Sequence, residues 1–240
     1  APDYLLDTTQ SGYDDSKALI GKWHGRGRLM YAITPRFAPT STADQLISAG
    51  ELWSEFPDCY MQTHVSENKS EVAWVKELFP DRKGYLDVYD HSGLCRPRAV
   101  FGHGIHLTED ELSCMHHTGS AISHCPTSNF FLGSGYLDVF RAKDAKRPVR
   151  VGLGTDLGAG TSFSILLTLN EAYKAAQLNN QVLTAGHAYY MATRGTAQAM
   201  YIEDKVGSIA PGMEADLVVL DMKSTPIIDY RMQFVEDFNE

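Results

Sequence analysis

The sequence has no apolar run of 18 residues, so nothing in it reads as a membrane-spanning helix. It is short of positive charge: 21 Lys and Arg stand against 30 Asp and Glu, for a net charge of −9. That balance argues against general binding to nucleic acid or to an anionic membrane, both of which need basic patches. Cysteine is scarce. Cys59, Cys95, Cys114 and Cys125 are far apart with no Cys-x-x-Cys, which argues against a disulfide framework and for free thiols in a cytosolic protein. No dinucleotide fingerprint is present, because the glycines around Gly152 end an apolar run without the Gly-x-Gly-x-x-Gly spacing. No low-complexity segment or short repeat occurs. The chain opens on Ala1, not Met, and shows no basic-then-apolar leader, which implies that residues have been removed upstream.

What remains is an ordinary globular composition, 43% hydrophobic and 21% charged over 240 residues, enough for one large domain or two small ones. Five short runs, apolar on both faces, recur along it: Leu29–Thr34, Cys59–His64, Ala99–His103, Ser120–His124 and Val149–Asp156. Such runs suit parallel strands covered on both sides. Between them lie amphipathic stretches opened by capping boxes at Thr42–Gln45, Asn68–Glu71 and Thr108–Glu111. Strand followed by helix, repeated, predicts βαβ units and a parallel sheet.

Spacing narrows the fold. Arg36, His64, His103, His124 and Asp156 stand at the ends of the runs, and from Arg36 to Asp156 the chain takes 30 residues per unit. An eight-unit β/α barrel takes roughly 31 and carries its chemistry at the strand ends. A doubly wound open sheet competes, but it gathers its site at one switch point. Five units do not close a barrel, and only Ser16–Trp23 reads as a helix before the first run. After Asp156 come helical stretches at Ser162–Leu178, Thr184–Ala192 and Thr193–Met200. Glycine and proline turns then predict a small β segment from residue 205, with a strand at Leu217–Asp221. The expected organisation is a partial barrel over 1–204 and a β segment over 205–240.

Each strand end has a plain reading beside a chemical one. His64-Val-Ser-Glu67 offers a metal-ligating or proton-handling pair, or a structural histidine before a helix-starting glutamate. In Gly102-His103-Gly104 the glycines allow close approach to His103, which is otherwise a packed strand end. His106 reads as structural. In Ser123-His124-Cys125-Pro126-Thr127-Ser128-Asn129, His124 or Asn129 shapes a pocket more readily than Cys125 attacks, and Pro126–Asn129 is also turn chemistry. Asp156 is a carboxylate ligand, a proton acceptor or a helix cap. Arg36-Phe37 offers donors and a flat apolar wall, or a surface arginine. Together, His, Glu, His and Asp on successive strand ends suit hydrolysis by metal-activated water.

The motifs His-Val-Ser-Glu at 64–67, Gly-His-Gly-Ile-His-Leu at 102–107, Ser-His-Cys-Pro-Thr-Ser-Asn at 123–129 and Gly-Leu-Gly-Thr-Asp at 152–156 resemble those of the amidohydrolase superfamily. With Thr-Pro-Arg-Phe at 34–37 and the stretch 154–164, the resemblance is to its guanine deaminase branch, close to the bacterial members, over nearly the whole chain. It implies a (β/α)8 TIM-like barrel flanked by a small β-sandwich, the five runs being strands four to eight. It also implies one zinc ion with His64 and Asp156 as ligands, Glu67 as proton shuttle, and His103 orienting or polarising the attacking water. Arg36 and Phe37, with His64, Glu67 and Asp156, would contact a small purine, and guanine would give xanthine and ammonia. A cytoplasmic homodimer is implied for the full-length enzyme, with no nucleic-acid or membrane partner. The departure from the family is the lack of any His-x-His, the pair that supplies two further zinc ligands. The expectation is therefore an internal portion of a longer enzyme, with those ligands upstream. A related deaminase or chlorohydrolase acting on another aminated heterocycle, or a catalytically silent scaffold, are the alternatives.

Overall fold

The computed structural model describes residues 2–237; Ala1 and residues 238–240, the outer ends of the two expected regions, lie outside the described residues. In chain order the elements are α1 (Thr9–Trp23), β1 (Ala32–Ile33), α2 (Ala43–Glu55), β2 (Tyr60–Val65), α3 (Lys69–Leu78), α4 (Tyr85–His91), β3 (Ala99–His103) and α5 (Glu109–Thr118). They continue with β4 (Ala121–His124), α6 (Pro126–Phe131), α7 (Val139–Ala142), β5 (Arg150–Leu153), α8 (Ile165–Leu178), α9 (Ala185–Tyr190), α10 (Thr196–Ala199) and α11 (Pro226–Met232). A π-helical turn, Met191–Gly195, joins α9 to α10.

All five apolar runs become strands of one parallel sheet in the order β1-β2-β3-β4-β5. The order follows the chain without a reversal, so the doubly wound alternative, which needs one, does not form. Parallel pairing brings all the C-terminal strand ends to the same side of the sheet. The three capping boxes hold: Thr42, Asn68 and Thr108 each accept from the backbone N–H three residues on, and the first-turn Gln45, Glu71 and Glu111 return the bond. Each such cap stabilises its helix by roughly 1 kcal/mol.

The core lies between sheet and helices and includes Trp53, Leu46, Met61, Tyr89, Phe101, Met115 and Ile122, all fully buried. Trp53 needs a polar partner for its indole N–H and finds the Cys59 carbonyl at 3.0 Å. The Arg96 guanidinium covers its ring at 3.7 Å. Tyr89 does more than pack: its hydroxyl accepts from Ala38 N and donates to the His64 carbonyl, both at 2.8 Å, fixing the chain on either side of the β1 and β2 ends.

Two expectations are corrected. Pro126-Thr-Ser-Asn129 is the first turn of α6, with Pro at the first helical position where its missing N–H has no intrahelical role. The strand expected at Leu217–Asp221 is unpaired: no strand forms over 205–237 among the described residues. Val218 and Val219 are 87% and 91% exposed. A strand exists through the hydrogen bonds of a neighbour, and none of the described residues offers one there. No helix among the described residues is long and apolar enough to cross a membrane.

Candidate active site

The strand ends converge on His103. This residue closes β3, is 2% exposed, and has its backbone in the left-handed region with φ +71°. Ser66, just past β2, and Asp156, just past β5, share that conformation with φ +49° and +47°. Three non-glycine residues turned this way at strand ends are uncommon, and such strain gathers at functional sites. The turn swings each chain sharply out of its strand.

His64 stacks on His103, ring centroids 5.5 Å apart and planes 21° apart. The sheet register makes this possible. His64 pairs with Gly102, so no side chain stands between the two rings. Nδ1 of His64 lies 2.6 Å from the carbonyl oxygen of Arg36. A carbonyl only accepts, so Nδ1 carries the proton and Nε2 keeps a lone pair. His103 repeats the device: its Nδ1 is 2.8 Å from Asn129 Oδ1 on α6. Its Nε2 faces two carboxylates, Glu67 Oε2 at 3.6 Å and Asp156 Oδ2 at 3.9 Å.

Glu67 is fixed at both ends. Its backbone N–H donates to Glu71 Oε2 at 3.2 Å, an extension of the α3 capping box. Its Oε1 accepts the Ser134 hydroxyl at 2.9 Å. Asp156 is not a cap for the helix that follows, because Ser164 caps α8. Its carbonyl instead accepts from Gly160 N at 2.6 Å, closing a tight loop. A Cβ on Gly160 would overlap the Thr155 and Asp156 carbonyls, so that loop needs glycine.

Arg36 enters the site through its main chain as well as its side chain. Its carbonyl accepts from Thr63 Oγ1 at 3.1 Å in addition to His64. Its exposed guanidinium lies over the Phe37 ring at 5.3 Å, and the edge of Phe37 meets His64 at 6.3 Å. The expected site residues Arg36, Phe37, His64, Glu67, His103 and Asp156 thus come together.

The fourth strand end differs. His124 is fully buried with neither ring nitrogen bonded among the described residues. Burial, with His103 nearby, pushes its pKa down to about 3, so it stays neutral. Burial likewise pushes the Cys125 thiol up to about 11, which removes it as a nucleophile. Asn129, which the sequence offered only as a pocket-shaping residue, is the partner of His103, and Ser134, the partner of Glu67, escaped the sequence reading.

Chemically, the arrangement joins two imidazoles, each with Nδ1 tied to an acceptor, to two carboxylates. Nitrogen and oxygen donors of this kind suit zinc, and a ligating histidine commonly donates its other N–H to a carbonyl, as His64 does. Among the described residues no three His, Cys, Asp or Glu side chains gather closely enough to hold a metal by themselves.

The profile of the amidohydrolase family matches residues 8–239. The guanine deaminase of Escherichia coli (strain K12) is 52% identical over 231 residues, which cover 96% of this chain and 52% of that protein. A solved structure of E. coli guanine deaminase superposes with a TM-score of 0.96 at 49% identity, covering 100% of this chain and 55% of that one. The guanine deaminase of C. acetobutylicum, with guanine bound in its active site, gives 0.79 at 30% identity over 87% of this chain and 50% of that one. A zinc-bound adenosine deaminase from Xanthomonas campestris gives 0.80 at 26%, covering 88% and 48%. The chain spans about half the length of the curated relatives it matches. With its parallel sheet, its converging strand ends and a profile match along almost all its length, the chain belongs to the amidohydrolase family.

Proposed function

We propose that a full-length enzyme containing this chain hydrolyses guanine to xanthine and ammonia with one zinc ion. The observation that carries the reading is His103 Nε2 between the carboxylates of Glu67 and Asp156, in a chain 52% identical to a guanine deaminase. A relative that binds guanine in its active site supports the substrate. On this reading β1 to β5 are strands four to eight of a (β/α)8 barrel within 1–204, and 205–240 belongs to a small β region that pairs with residues outside this chain. The four free cysteines suit a reducing cytosol. The acting unit is taken to be a homodimer working on a free purine.

His64 Nε2 and Asp156 would hold the zinc, with two histidines from outside these residues completing the set. Zinc, when bound, acidifies a water so that it can act as a nucleophile at neutral pH. The chain's own groups manage protons and position. His103 orients or polarises the water through Nε2, its Nδ1 being committed to Asn129. Glu67 delivers a proton to ring nitrogen N3, which weakens the C2–N3 double bond. Asp156 takes one proton of the attacking water and passes it to the departing amine, and the remaining hydroxyl proton returns to Glu67. A C2–O bond forms, the bond from C2 to the exocyclic nitrogen breaks, and that nitrogen leaves as ammonia. The Arg36 guanidinium donates to O6, an acceptor adenine lacks, and Phe37 flanks the ring.

The test is turnover of guanine by the zinc-loaded full-length enzyme beside a panel of adenine, aminated triazines and chlorinated triazines. Xanthine and ammonia in equal amounts are expected. No xanthine, or faster turnover of a triazine, overturns the guanine assignment.

A further inference from the structure

We propose that Ser134 is a positioning residue for Glu67, setting which carboxylate oxygen faces the reaction. The inference rests on the shuttle role given to Glu67 above. Oε1 of Glu67 accepts the Ser134 hydroxyl at 2.9 Å, and this leaves Oε2 turned to His103 Nε2 at 3.6 Å. The two oxygens are chemically alike, and rotation about the last side-chain torsion would exchange them. That torsion is broad in an unrestrained glutamate. One donor on one oxygen breaks the symmetry.

The donor is itself pinned through both its backbone N–H and its carbonyl. Ser134 N donates to the Asn129 carbonyl at 2.9 Å, at the exit of α6. Its carbonyl lies 3.1 Å from His106 Nε2, and because a carbonyl only accepts, His106 carries its proton there. His106 N in turn donates to the Ser66 carbonyl at 3.0 Å, one residue before Glu67. The ring of bonds therefore starts and ends on the β2 exit, passing through the β3 exit and the α6 exit. Gly133 and Gly135, with φ +69° and +124°, let the chain bend through Ser134. A Cβ at 135 would stand only 3.2 Å from Ile105. Asn129 belongs to the same frame, since its side chain holds His103 while its carbonyl holds Ser134. One segment thus orients both His103 and Glu67.

The experiment is a double-mutant cycle in the full-length, zinc-loaded enzyme with guanine. A hydrogen bond to a charged group predicts that Ser134→Ala lowers kcat roughly 10- to 150-fold. KM should stay within about 3-fold, since Ser134 is assigned no contact with substrate. In a Glu67→Ala background the same substitution should change kcat less than about 2-fold, because the group it positions is gone. An equal loss in both backgrounds, or a loss confined to KM, would mean that Ser134 serves the fold or the substrate and not Glu67. If the unmutated enzyme converts no guanine, the functional reading fails by itself. Crystal structures then decide the inference: Glu67 should rotate away from His103 in Ser134→Ala, and an unmoved carboxylate overturns it.

Discussion

His64 is held by the peptide carbonyl of Arg36 and not by its guanidinium. Nδ1 donates to that carbonyl at 2.6 Å, while the guanidinium lies over Phe37. The side chain at position 36 can therefore change without loosening the proposed zinc ligand. The two jobs of Arg36 are separable by mutation.

Arg36→Ala should leave zinc content unchanged and lower kcat/KM for guanine roughly 10- to 150-fold, the loss of one hydrogen bond from a charged donor. The control is 2-aminopurine, which keeps the ring and the amine but has no O6. The unmutated enzyme should use it poorly, and Arg36→Ala should change that rate far less. Equal losses on the two substrates would show that Arg36 does not read O6.

Glu67→Gln keeps the shape and much of the hydrogen bonding of Glu67 but cannot shuttle a proton. General acid–base help is worth about 10²–10⁴-fold, and kcat should fall by at least that range with zinc retained. His64→Ala should instead lose zinc. Metal analysis beside steady-state kinetics separates the two, and a Glu67→Gln enzyme within a few-fold of the parent would remove Glu67 from the chemistry.

The 240 residues alone should bind zinc weakly and deaminate no guanine. His64 and Asp156 are only two of the four proposed ligands, fewer than the three protein ligands a catalytic zinc site needs at the least. Elemental analysis after dialysis checks this. Stoichiometric zinc with turnover in a verified monomer of this length would contradict the proposed ligand set.

His124 predicts an acid limb in stability. Its folded pKa of about 3 lies below the ordinary value of 6.5, so below pH 6.5 the unfolded chain takes up the proton more readily. Stability is therefore full above that pH and declines as pH falls toward 3. Between pH 7 and 5 this residue should account for about 2 kcal/mol. Urea unfolding across that range should show a flatter profile for His124→Leu, and an unchanged profile would assign the acid sensitivity elsewhere.

Much of this fold was readable because the strands announce themselves as short runs with chemistry at one end. The run Ala99–His103 is β3 to the residue. Leu29–Thr34 shortens to Ala32–Ile33, because β1 is the sheet edge and Leu29 and Met30 stay about half exposed, with no neighbour among the described residues to cover them. α4 escaped notice because Gly84 opens it without a side-chain cap, the signal that revealed α2, α3 and α5. The strand-end site residues were legible for the same reason as the strands. Asn129 was legible only as a pocket-shaping candidate and Ser134 not at all, since their partners lie 26 and 67 residues away in the chain and only packing brings them together.

The left-handed backbone at Ser66, His103 and Asp156 sets durability against turnover within one small region. A non-glycine residue there costs roughly 1–2 kcal/mol, and glycine would relieve it. Selection for heat resistance alone would favour glycine at all three, and at 103 and 156 it would erase the imidazole and the carboxylate that face each other. Ser66 is the exception: its buried hydroxyl has no partner among the described residues, and its side chain has no part in the proposed chemistry. Laboratory evolution scored on both survival and rate should accept Ser66→Gly and reject the other two.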